Sequence, residues 1–387
     1  MKTLICTIVA ALAVGSTLAP AADKTPVEES VVVFEAKKGN NYASIRIPSI
    51  INAGGTLIAA AEGRKAATDQ GMNDIIICTS KDGKKWSKMV VAAASGEDTY
   101  NNPCLIYDKA TKNIVLFFQK YPKGVKERGN VPKGCTDPKT IHNFVCFSKN
   151  GKSWSKPKDV TKDTKHDDVD ITCSGPNPGC QLTRGPHKGR LIVPLNEGPF
   201  NNWTLAAAYS DDHGKTWHIG QKSATGGGVN EVSVAETEEG GLLIVSRHSS
   251  GGSNRKYAYS EDGGETWGPI NTHSELPCPG CQNGLTRYSF SDDAKLGNKS
   301  RIIFTGPCAS GRNNGVAKMS YDDGKTWPVE KALGPGGYAY SAVCTVKPGV
   351  VGVLFERDGK INFTTFTIDW LTDGKDDGKG GGTAKED

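Results

Sequence analysis

The sequence contains a single long apolar run, and that run lies at its N-terminus. It covers residues 4–14, about half of the roughly 20 residues that a helix needs to cross a membrane. Lys2 precedes the run and Ala19-Pro20-Ala21 follows it, an arrangement typical of a cleaved secretory signal. We therefore expect residues 1–21 to be a signal peptide and the protein to be exported (secreted, periplasmic or at the cell surface). We expect no segment to span a membrane.

Charge of neither sign dominates the chain. It has 47 Lys and Arg against 42 Asp and Glu, a formal net charge of +5 at pH 7, and this mild excess would steer an anionic ligand only weakly. No run of Lys and Arg is interleaved with aromatic residues, as it would be in a nucleic-acid-binding surface. The sequence therefore predicts no nucleic-acid partner.

Patterns for metal binding are also scarce. Cys278 and Cys281 have a spacing found in zinc sites, but no second Cys or His pair stands at a matching distance. An acidic stretch at residues 166–170 could hold a cation, although a solvated loop is the simpler interpretation. We therefore expect no metal and no cofactor.

Eleven cysteines are present, and ten would remain after removal of the signal peptide. An even number permits disulfides in an exported protein. The pairs Cys173/Cys180 and Cys278/Cys281 lie in predicted loops and are the candidates. Three others lie in apolar, strand-like runs and are expected to be buried free thiols, namely Cys78, Cys146 and Cys344.

Glycine is abundant, 47 of 387 residues, and part of it belongs to a motif that recurs. Residues 260–267 read Ser-Glu-Asp-Gly-Gly-Glu-Thr-Trp, and close copies stand at residues 210–217 and 320–327. Two copies that lack one residue occupy residues 80–86 and 148–154. The closing tryptophans are 50 to 68 residues apart, a period that indicates a repeated supersecondary unit.

Each copy has the composition of a tight hairpin turn. Ser and Asp can hydrogen-bond the turn backbone, Gly supplies a positive φ, and Trp covers the turn. A short β-rich run precedes each copy, for example at residues 75–78 and 256–259. Units of about 50–60 residues that contain such turns fit the four-stranded blades of a propeller. The turns themselves brace the fold, so they do not distinguish an enzyme from a non-catalytic propeller.

Several polar residues stand near predicted strands, and each alone has an ordinary structural explanation. Arg46 could be an exposed residue of an edge strand, and Asp69 a solvated loop carboxylate. Glu231 and Arg247 lie on consecutive strands and could form a cross-strand ion pair. The insertion at residues 119–139, rich in Lys, Gly and Pro, is either a solvated face or the rim of a pocket.

Taken together, these residues follow a recognisable order. The order is Arg-Ile-Pro at 46–48, Glu-Gly-Arg at 62–64, Asp69, Asn-Glu at 230–231, Arg247, Arg312, Tyr-Ser at 340–341 and Glu356. Over residues 40–370 this order resembles the bacterial-type exo-α-sialidases (neuraminidases), and the repeated turns resemble their Asp boxes. The resemblance implies an all-β fold, a six-bladed β-propeller with four-stranded antiparallel blades and the site at its central mouth. The catalytic domain would cover residues 22–370, and the Gly-, Lys- and Asp-rich residues 371–387 are expected to be a disordered tail.

The resemblance implies which residues bind the substrate. Arg46, Arg247 and Arg312 correspond to a cluster of three arginines that holds the carboxylate of sialic acid by planar, bidentate hydrogen bonds. Glu356 is similar to the carboxylate that braces Arg46. Arg64 is similar to the arginine that reaches the 4-hydroxyl of the sugar.

The resemblance also implies three catalytic residues. Tyr340 corresponds to the nucleophile, Glu231 to the base that activates its phenol, and Asp69 to the acid/base. A neutral tyrosine suits this substrate, because a carboxylate nucleophile would be repelled by the substrate carboxylate. The implied activity is hydrolysis of terminal sialic acid from glycoproteins, glycolipids and oligosaccharides, through a tyrosyl-sugar intermediate and with retention.

Some assignments have competitors in the sequence. Arg301 and Arg287 compete with Arg312 for the third place in the arginine cluster, and Tyr338 competes with Tyr340. Asn150 replaces the usual Asp in the second repeated turn, and we expect it to weaken that turn. Three other functions fit the same family pattern: a trans-sialidase, a sialidase that prefers a deaminated sialic acid, and a non-catalytic propeller that binds glycans.

Overall fold

The computed structural model describes residues 29–249, 254–307 and 311–380. The predicted signal peptide, residues 1–21, lies outside them. The described residues form 25 β-strands, two short α-helices (Thr161–Thr164 and Ile368–Leu371) and one 3-10 turn (Ala294–Leu296). Within these ranges no helix is long and apolar enough to cross a membrane.

The strands assemble into six antiparallel sheets, which are the blades of a propeller. The chain begins with β1 Val31–Glu35, then forms blade I from β2 Ser44–Asn52, β3 Leu57–Arg64, β4 Asp74–Ser80 and β5 Val90–Ala93, and blade II from β6 Thr99–Asp108, β7 Asn113–Tyr121, β8 His142–Ser148 and β9 Lys158–Asp159. Blade III consists of β10 Thr172–Ser174, β11 Cys180–Gln181, β12 Leu191–Glu197, β13 Thr204–Ser210 and β14 His218–Ile219, and blade IV of β15 Val232–Glu236, β16 Leu242–Ser246, β17 Asn254–Ser260 and β18 Asn271–Pro277. Blade V consists of β19 Gly284–Ser289, β20 Arg301–Pro307, β21 Asn313–Ser320 and β22 Val329–Gly337, and blade VI contains β23 Ser341–Lys347, β24 Val350–Arg357 and β25 Lys360–Thr367. The predicted all-β, six-bladed propeller with four-stranded blades is therefore confirmed, with one addition: the short β11 also pairs with β12 in blade III.

The inner strands of the blades are buried on both faces. Every residue of β3 and β4 is buried, and each strand contains a continuous apolar run, residues 57–61 in β3 and 75–78 in β4. The hydrophobic core lies between neighbouring blades: Ile58 and Ile77 of blade I pack in one cluster with Leu105 and Phe118 of blade II. Each blade therefore provides part of the core of the next, and the blades form one closed ring.

The ring closes by pairing the two ends of the propeller. β1 pairs antiparallel with β25, with Val31 opposite Phe363, and so supplies the fourth strand of blade VI. The other five blades connect their third and fourth strands by a hairpin. This closure explains why a six-bladed propeller has only five copies of the repeated turn.

Each repeated turn follows the third strand of its blade and is held by a carboxylate or amide oxygen. In blade III, Asp212 accepts hydrogen bonds from the Thr216 N–H (2.8 Å) and hydroxyl (2.7 Å), and Trp217 donates to the Gly214 carbonyl (3.1 Å). In blade II, Asn150 accepts two backbone N–H bonds at 2.8 and 3.0 Å through its side-chain oxygen. The second turn thus keeps these backbone hydrogen bonds despite its Asn.

Strand direction places the turns and the ends of the inner strands on opposite faces of the ring. Neighbouring strands of an antiparallel blade run in opposite directions. The start of the first strand, the end of the second and the start of the third therefore lie on the same face of the ring. Arg64 ends the second strand of blade I, and Ser80 ends its third strand. The five turns therefore lie on the face opposite to the one on which Arg64 lies.

The predicted disordered tail is wrong for residues 371–380. The chain ends its last strand in the helix Ile368–Leu371 and then returns to blade V. There Asp376 is 7% exposed and forms a bidentate ion pair with Arg301, at 2.8 and 2.6 Å. Composition predicted disorder because the tail is polar, but this ion pair and a hydrogen bond from the Tyr288 hydroxyl to the Gly378 carbonyl (2.7 Å) hold it against the fold. Residues 381–387 lie outside the described residues.

The predicted disulfides are also wrong. Cys173, Cys180, Cys278 and Cys281 are free thiols. Cys173 lies opposite Asn196 of β12 and Cys180 opposite Ile192, four residues apart or about 13 Å along the strand. That separation exceeds the Cα–Cα distance that a disulfide spans. The expected buried free thiols, Cys78, Cys146 and Cys344, are buried and free.

Candidate active site

A cavity of about 480 Å³ opens at the mouth of the propeller, on the face opposite to the repeated turns. All six blades contribute side chains to it, and seven of the eight predicted site residues line it: Arg46, Arg64, Asp69, Glu231, Arg247, Arg312 and Tyr340. The eighth, Glu356 on β24, contacts Arg46 from beside the cavity. The closed ring therefore gathers residues that are spread over some 310 positions of the chain.

Tyr340 lies at the floor of the cavity, just before β23, and is 4% exposed. Its hydroxyl donates a hydrogen bond to Glu231 and accepts one from Arg247 Nη1 at 3.0 Å. Arg247 Nη1 also contacts Glu231 Oε2 at 2.9 Å. Burial, followed by the Glu231 charge, raises the pKa of the Tyr340 phenol well above its usual value. The phenol is thus neutral and directly hydrogen-bonded to a base.

Two further guanidinium groups flank the Tyr340 ring. The Arg46 and Arg312 Cζ atoms lie 5.1 and 5.2 Å from the ring centroid. Arg312 precedes β21, and its Nη2 donates to the Gly280 carbonyl at 3.0 Å. Together with Arg247, these side chains place three guanidinium groups around one phenol, an arrangement that suits the binding of an anion.

Arg46 is positioned by a carboxylate from the last blade. Its Nη2 lies 2.9 Å from Glu356 Oε2, and the other oxygen of Glu356 accepts the Ile47 N–H at 2.8 Å. Ile47 has a φ of 66°, a region that costs a β-branched residue free energy. Glu356 therefore holds both the guanidinium of Arg46 and the strained backbone that follows it.

Arg64 links two carboxylates on the blade I side. It contacts the buried Glu62 at 2.7 Å and Asp69 at 2.8 Å. Burial raises the pKa of the Glu62 carboxyl. The Asp69 side chain is 67% exposed, while its backbone carbonyl is fixed by the side chains of Asn73 and Asn101. Asp69 is therefore open to solvent at the entrance on a well-held backbone.

Sequence reasoning missed Glu62 and Glu127 as site residues. Glu62 belongs to the Glu-Gly-Arg motif at residues 62–64, but the sequence assigned it no function at the site. Glu127 lies in the insertion at residues 119–139, whose interpretation as the rim of a pocket is confirmed, because Glu127 and Arg128 line the cavity. Burial, followed by the nearby charges of Glu231 and Asp69, raises the pKa of Glu127 to about 7.

The competing residues lie elsewhere. Arg301 is buried with Asp376, and Arg287 lies at the opposite mouth, where its Nε donates to the Glu236 carbonyl at 2.8 Å. Tyr338 is 1% exposed and stacks on Phe355, with centroids 5.0 Å apart. Of these candidates, only Arg312 and Tyr340 line the cavity with the other site residues.

The acidic stretch at residues 166–170 is occupied by protein contacts. His166 Nδ1 lies 2.5 Å from Glu197, and Asp168 pairs with Lys222 at 2.5 Å. The loop with Cys278 and Cys281 lies below the site instead, where Cys281 packs against Ile47 and Tyr340.

The family of the chain follows from comparison with known proteins. The model of the BNR repeat-like domain matches residues 55–353. The chain belongs to this family. Its relatives include the sialidase of Micromonospora viridifaciens, 31% identical over 376 residues (92% of this chain, 56% of that protein). The sialidase of Bacteroides fragilis is 28% identical over 82% of this chain and 60% of that protein. The family match and these relatives place the chain in the bacterial-type sialidase family.

This sialidase-family chain spans 56–60% of the length of these two relatives. Solved structures show the same fold. A Hadza microbial sialidase, Hz136, superposes with a TM-score of 0.79 and 24% identity over 89% of this chain and 69% of that one. A leech intramolecular trans-sialidase superposes with a TM-score of 0.78 and 22% identity over 89% of this chain and 71% of that one.

Proposed function

We propose that this chain is an exported, retaining exo-α-sialidase that hydrolyses terminal sialic acid from glycoproteins, glycolipids and oligosaccharides. One observation carries the proposal: the Tyr340 hydroxyl is held between Glu231 and Arg247, and the guanidinium groups of Arg46 and Arg312 flank its ring. This arrangement combines a nucleophile, its base and an anion-binding cluster in one cavity. Export rests on the sequence of residues 1–21.

The three arginines account for substrate binding. Each guanidinium has five N–H donors, and Arg46 and Arg312 use only a few of them in the hydrogen bonds described above. The remaining donors can bind the carboxylate on the anomeric carbon of sialic acid. Because charge-assisted bonds from a planar guanidinium are directional, they would also orient the anomeric carbon over Tyr340.

In the first step, the Tyr340 oxygen forms a bond to the anomeric carbon while the bond from that carbon to the leaving oxygen breaks. Glu231 takes the phenol proton, which the short contact between the two groups permits. Asp69 is exposed at the entrance and acts as the general acid in this step, giving a proton to the leaving oxygen. The product of this step is a tyrosyl-sugar intermediate.

In the second step, water replaces the tyrosine. Asp69, now a carboxylate, takes a proton from water, whose oxygen bonds to the anomeric carbon as the bond to Tyr340 breaks. Glu231 returns its proton to the phenolate. Two displacements at the same carbon give net retention of configuration.

The experiment that tests this proposal is release of 4-methylumbelliferone from its α-sialoside, compared between the parent, Tyr340→Phe and Tyr338→Phe. We expect the parent to hydrolyse the substrate, Tyr340→Phe to lose at least about a thousandfold in kcat, and Tyr338→Phe to stay near the parent. Tyr338→Phe is the matched control because Tyr338 lies two residues away, buried against Phe355. Equal rates for the parent and Tyr340→Phe would remove Tyr340 from the mechanism.

Product analysis separates the alternatives. Release of the α-anomer, followed by NMR before mutarotation, supports retention and hydrolysis. Transfer to an added sugar or formation of an anhydro sugar would show a trans-sialidase. A folded parent that binds sialosides without cleaving them would show a glycan-binding propeller.

A further inference from the structure

Among the residues that the structure describes, one carboxyl group that lines the cavity has no partner in the protein. Of the four carboxylates that line it, Glu62 and Asp69 pair with Arg64, and Glu231 pairs with Arg247. Within the described part of the chain, Glu127 has neither a hydrogen bond nor an ion pair. The Glu127 side chain is only partly exposed and lines the cavity, so its two oxygens can accept a hydrogen bond from a bound ligand.

The loop that carries Glu127 is anchored in its later part. It connects β7 to β8, and its later part is held by the buried ammonium group of Lys165, which donates to the carbonyls of Gly134 and Asp170, each at 2.9 Å. Val131 of the same loop is 9% exposed and belongs to the core. The part of the loop that follows Glu127 is therefore anchored to the fold.

Neighbouring groups leave the Glu127 carboxyl unsatisfied. Arg128 packs over the Phe200 ring, 5.0 Å from its centroid. Tyr121 and Cys173 contact each other, with the hydroxyl 3.4 Å from the thiol. Glu127 lines the same cavity as this pair.

The blade order shows which part of a substrate would reach Glu127. The three arginines come from blades I, IV and V, so the carboxylate of a bound sialic acid lies toward those blades. The rest of the sugar then lies over blades II and III, where Glu127, Tyr121 and Cys173 stand. Around the ring, Arg64 on blade I is the expected partner of the 4-hydroxyl. The next substituent, on C5, falls on the Glu127 side.

We propose that Glu127 is a specificity-determining residue that accepts a hydrogen bond from a hydroxyl group on the C5 substituent of the sialic acid. This inference rests on the proposed function. It favours sugars with an N-glycolyl group or a hydroxyl at C5 over those with N-acetyl, because an acetyl group turns a methyl toward the carboxyl. The methyl group would displace water from the Glu127 carboxyl, and it could not replace the hydrogen bonds that this water donates.

The test compares kcat/KM for three 4-methylumbelliferyl α-sialosides, with N-acetyl, N-glycolyl or hydroxyl at C5. The variants are the parent, Glu127→Gln, Glu127→Ala and Lys126→Ala. Lys126 is the matched control, since its exposed side chain lies on the same loop outside the cavity. We expect the parent to prefer at least one hydroxyl-bearing sugar by about tenfold. Glu127→Ala should reduce that preference to within about twofold, and Lys126→Ala should keep it.

Each outcome has a distinct meaning. If the parent prefers the N-glycolyl sugar, the glycolyl hydroxyl is within reach of Glu127; if it prefers the sugar with a hydroxyl at C5, that hydroxyl is. Either preference supports the inference. A parent that favours N-acetyl, or ratios that are unchanged in Glu127→Ala, overturns it and leaves the proposed function intact. A folded parent that cleaves none of the three sugars overturns the proposed function. If Glu127→Ala fails to fold, Glu127→Gln keeps the side-chain volume, and its selectivity should lie below that of the parent.

Discussion

Arg46 and Glu356 are 310 residues apart in the chain, and their side chains form an ion pair of 2.9 Å beside the cavity. The pair joins blade I to blade VI next to the point where β1 closes the ring. The same carboxylate accepts the N–H of Ile47. One glutamate of the last blade therefore positions both the first arginine of the site and the backbone that follows it.

Replacing this glutamate should impair substrate binding more than chemistry. We expect Glu356→Gln to raise KM about tenfold and to change kcat by less than about threefold, because Arg46 loses the group that orients it. Stability should fall by about 1–2 kcal/mol, since the carboxylate is largely buried. Glu35→Gln is the control, because Glu35 forms an exposed ion pair with Lys360 on the neighbouring strand. This variant should leave KM, kcat and stability unchanged. A kcat loss that exceeds the KM change would contradict this role.

The pH dependence of KM should report on Glu127. Its pKa of about 7 means that it is neutral below that pH and gains a negative charge as the pH rises through 7. Asp69 and Glu231 already face it with negative charge, and Arg128 and Arg247 with positive charge. An added negative charge weakens binding of an anionic substrate, so KM should rise several-fold between pH 6 and 8. In Glu127→Gln this rise should be absent, whereas an identical profile in both proteins would exclude Glu127 as its source.

The repeated turns should affect stability without affecting the site. Asp212→Ala removes the acceptor of the Thr216 N–H and hydroxyl, and we expect a loss of about 1 kcal/mol in the free energy of unfolding. The turn lies on the face opposite to the cavity, so kcat and KM should remain within about twofold of the parent. Denaturant unfolding and kinetics on the same sample measure both. Lys215→Ala, an exposed change in the same turn, should leave stability unchanged, and a change in KM for Asp212→Ala would contradict the separation of the two faces.

The C-terminal segment should be a structural part of the domain. Asp376→Ala leaves the guanidinium of Arg301 buried without its carboxylate, and Arg301 is 1% exposed. Breaking a buried pair from one side costs about 3 kcal/mol or more. The midpoint of thermal unfolding should be clearly lower for Asp376→Ala than for the parent. At low temperature, where both proteins are folded, kcat and KM should be unchanged. Asp377→Ala, one residue further along, removes only a local bond to the Lys379 N–H and should have little effect; equal midpoints for the two variants would show that the tail is dispensable.

Much of the fold could be predicted from local sequence. The repeated turns depend on residues within eight positions of one another, and such short-range contacts are readable from composition and spacing. The same holds for the buried strands, whose apolar runs are continuous. The resemblance to a family added the number of blades, and blade VI shows why the motif count alone could not: its fourth strand comes from β1.

The remaining features depend on contacts between distant residues. The free state of Cys173 and Cys180 depends on strand register in blade III. The order of residues 371–380 depends on contacts with blade V, among them the ion pair of Asp376 with Arg301 and the hydrogen bond from the Tyr288 hydroxyl to the Gly378 carbonyl. Glu127 is the clearest case, since its insertion gave no sign of which side chain would face the cavity. By itself, the sequence determined the strands, the turns and the residue types of the site. Only the tertiary structure decided which of those residues meet, because burial, pairing and charge at the site arise between blades that are far apart in the chain.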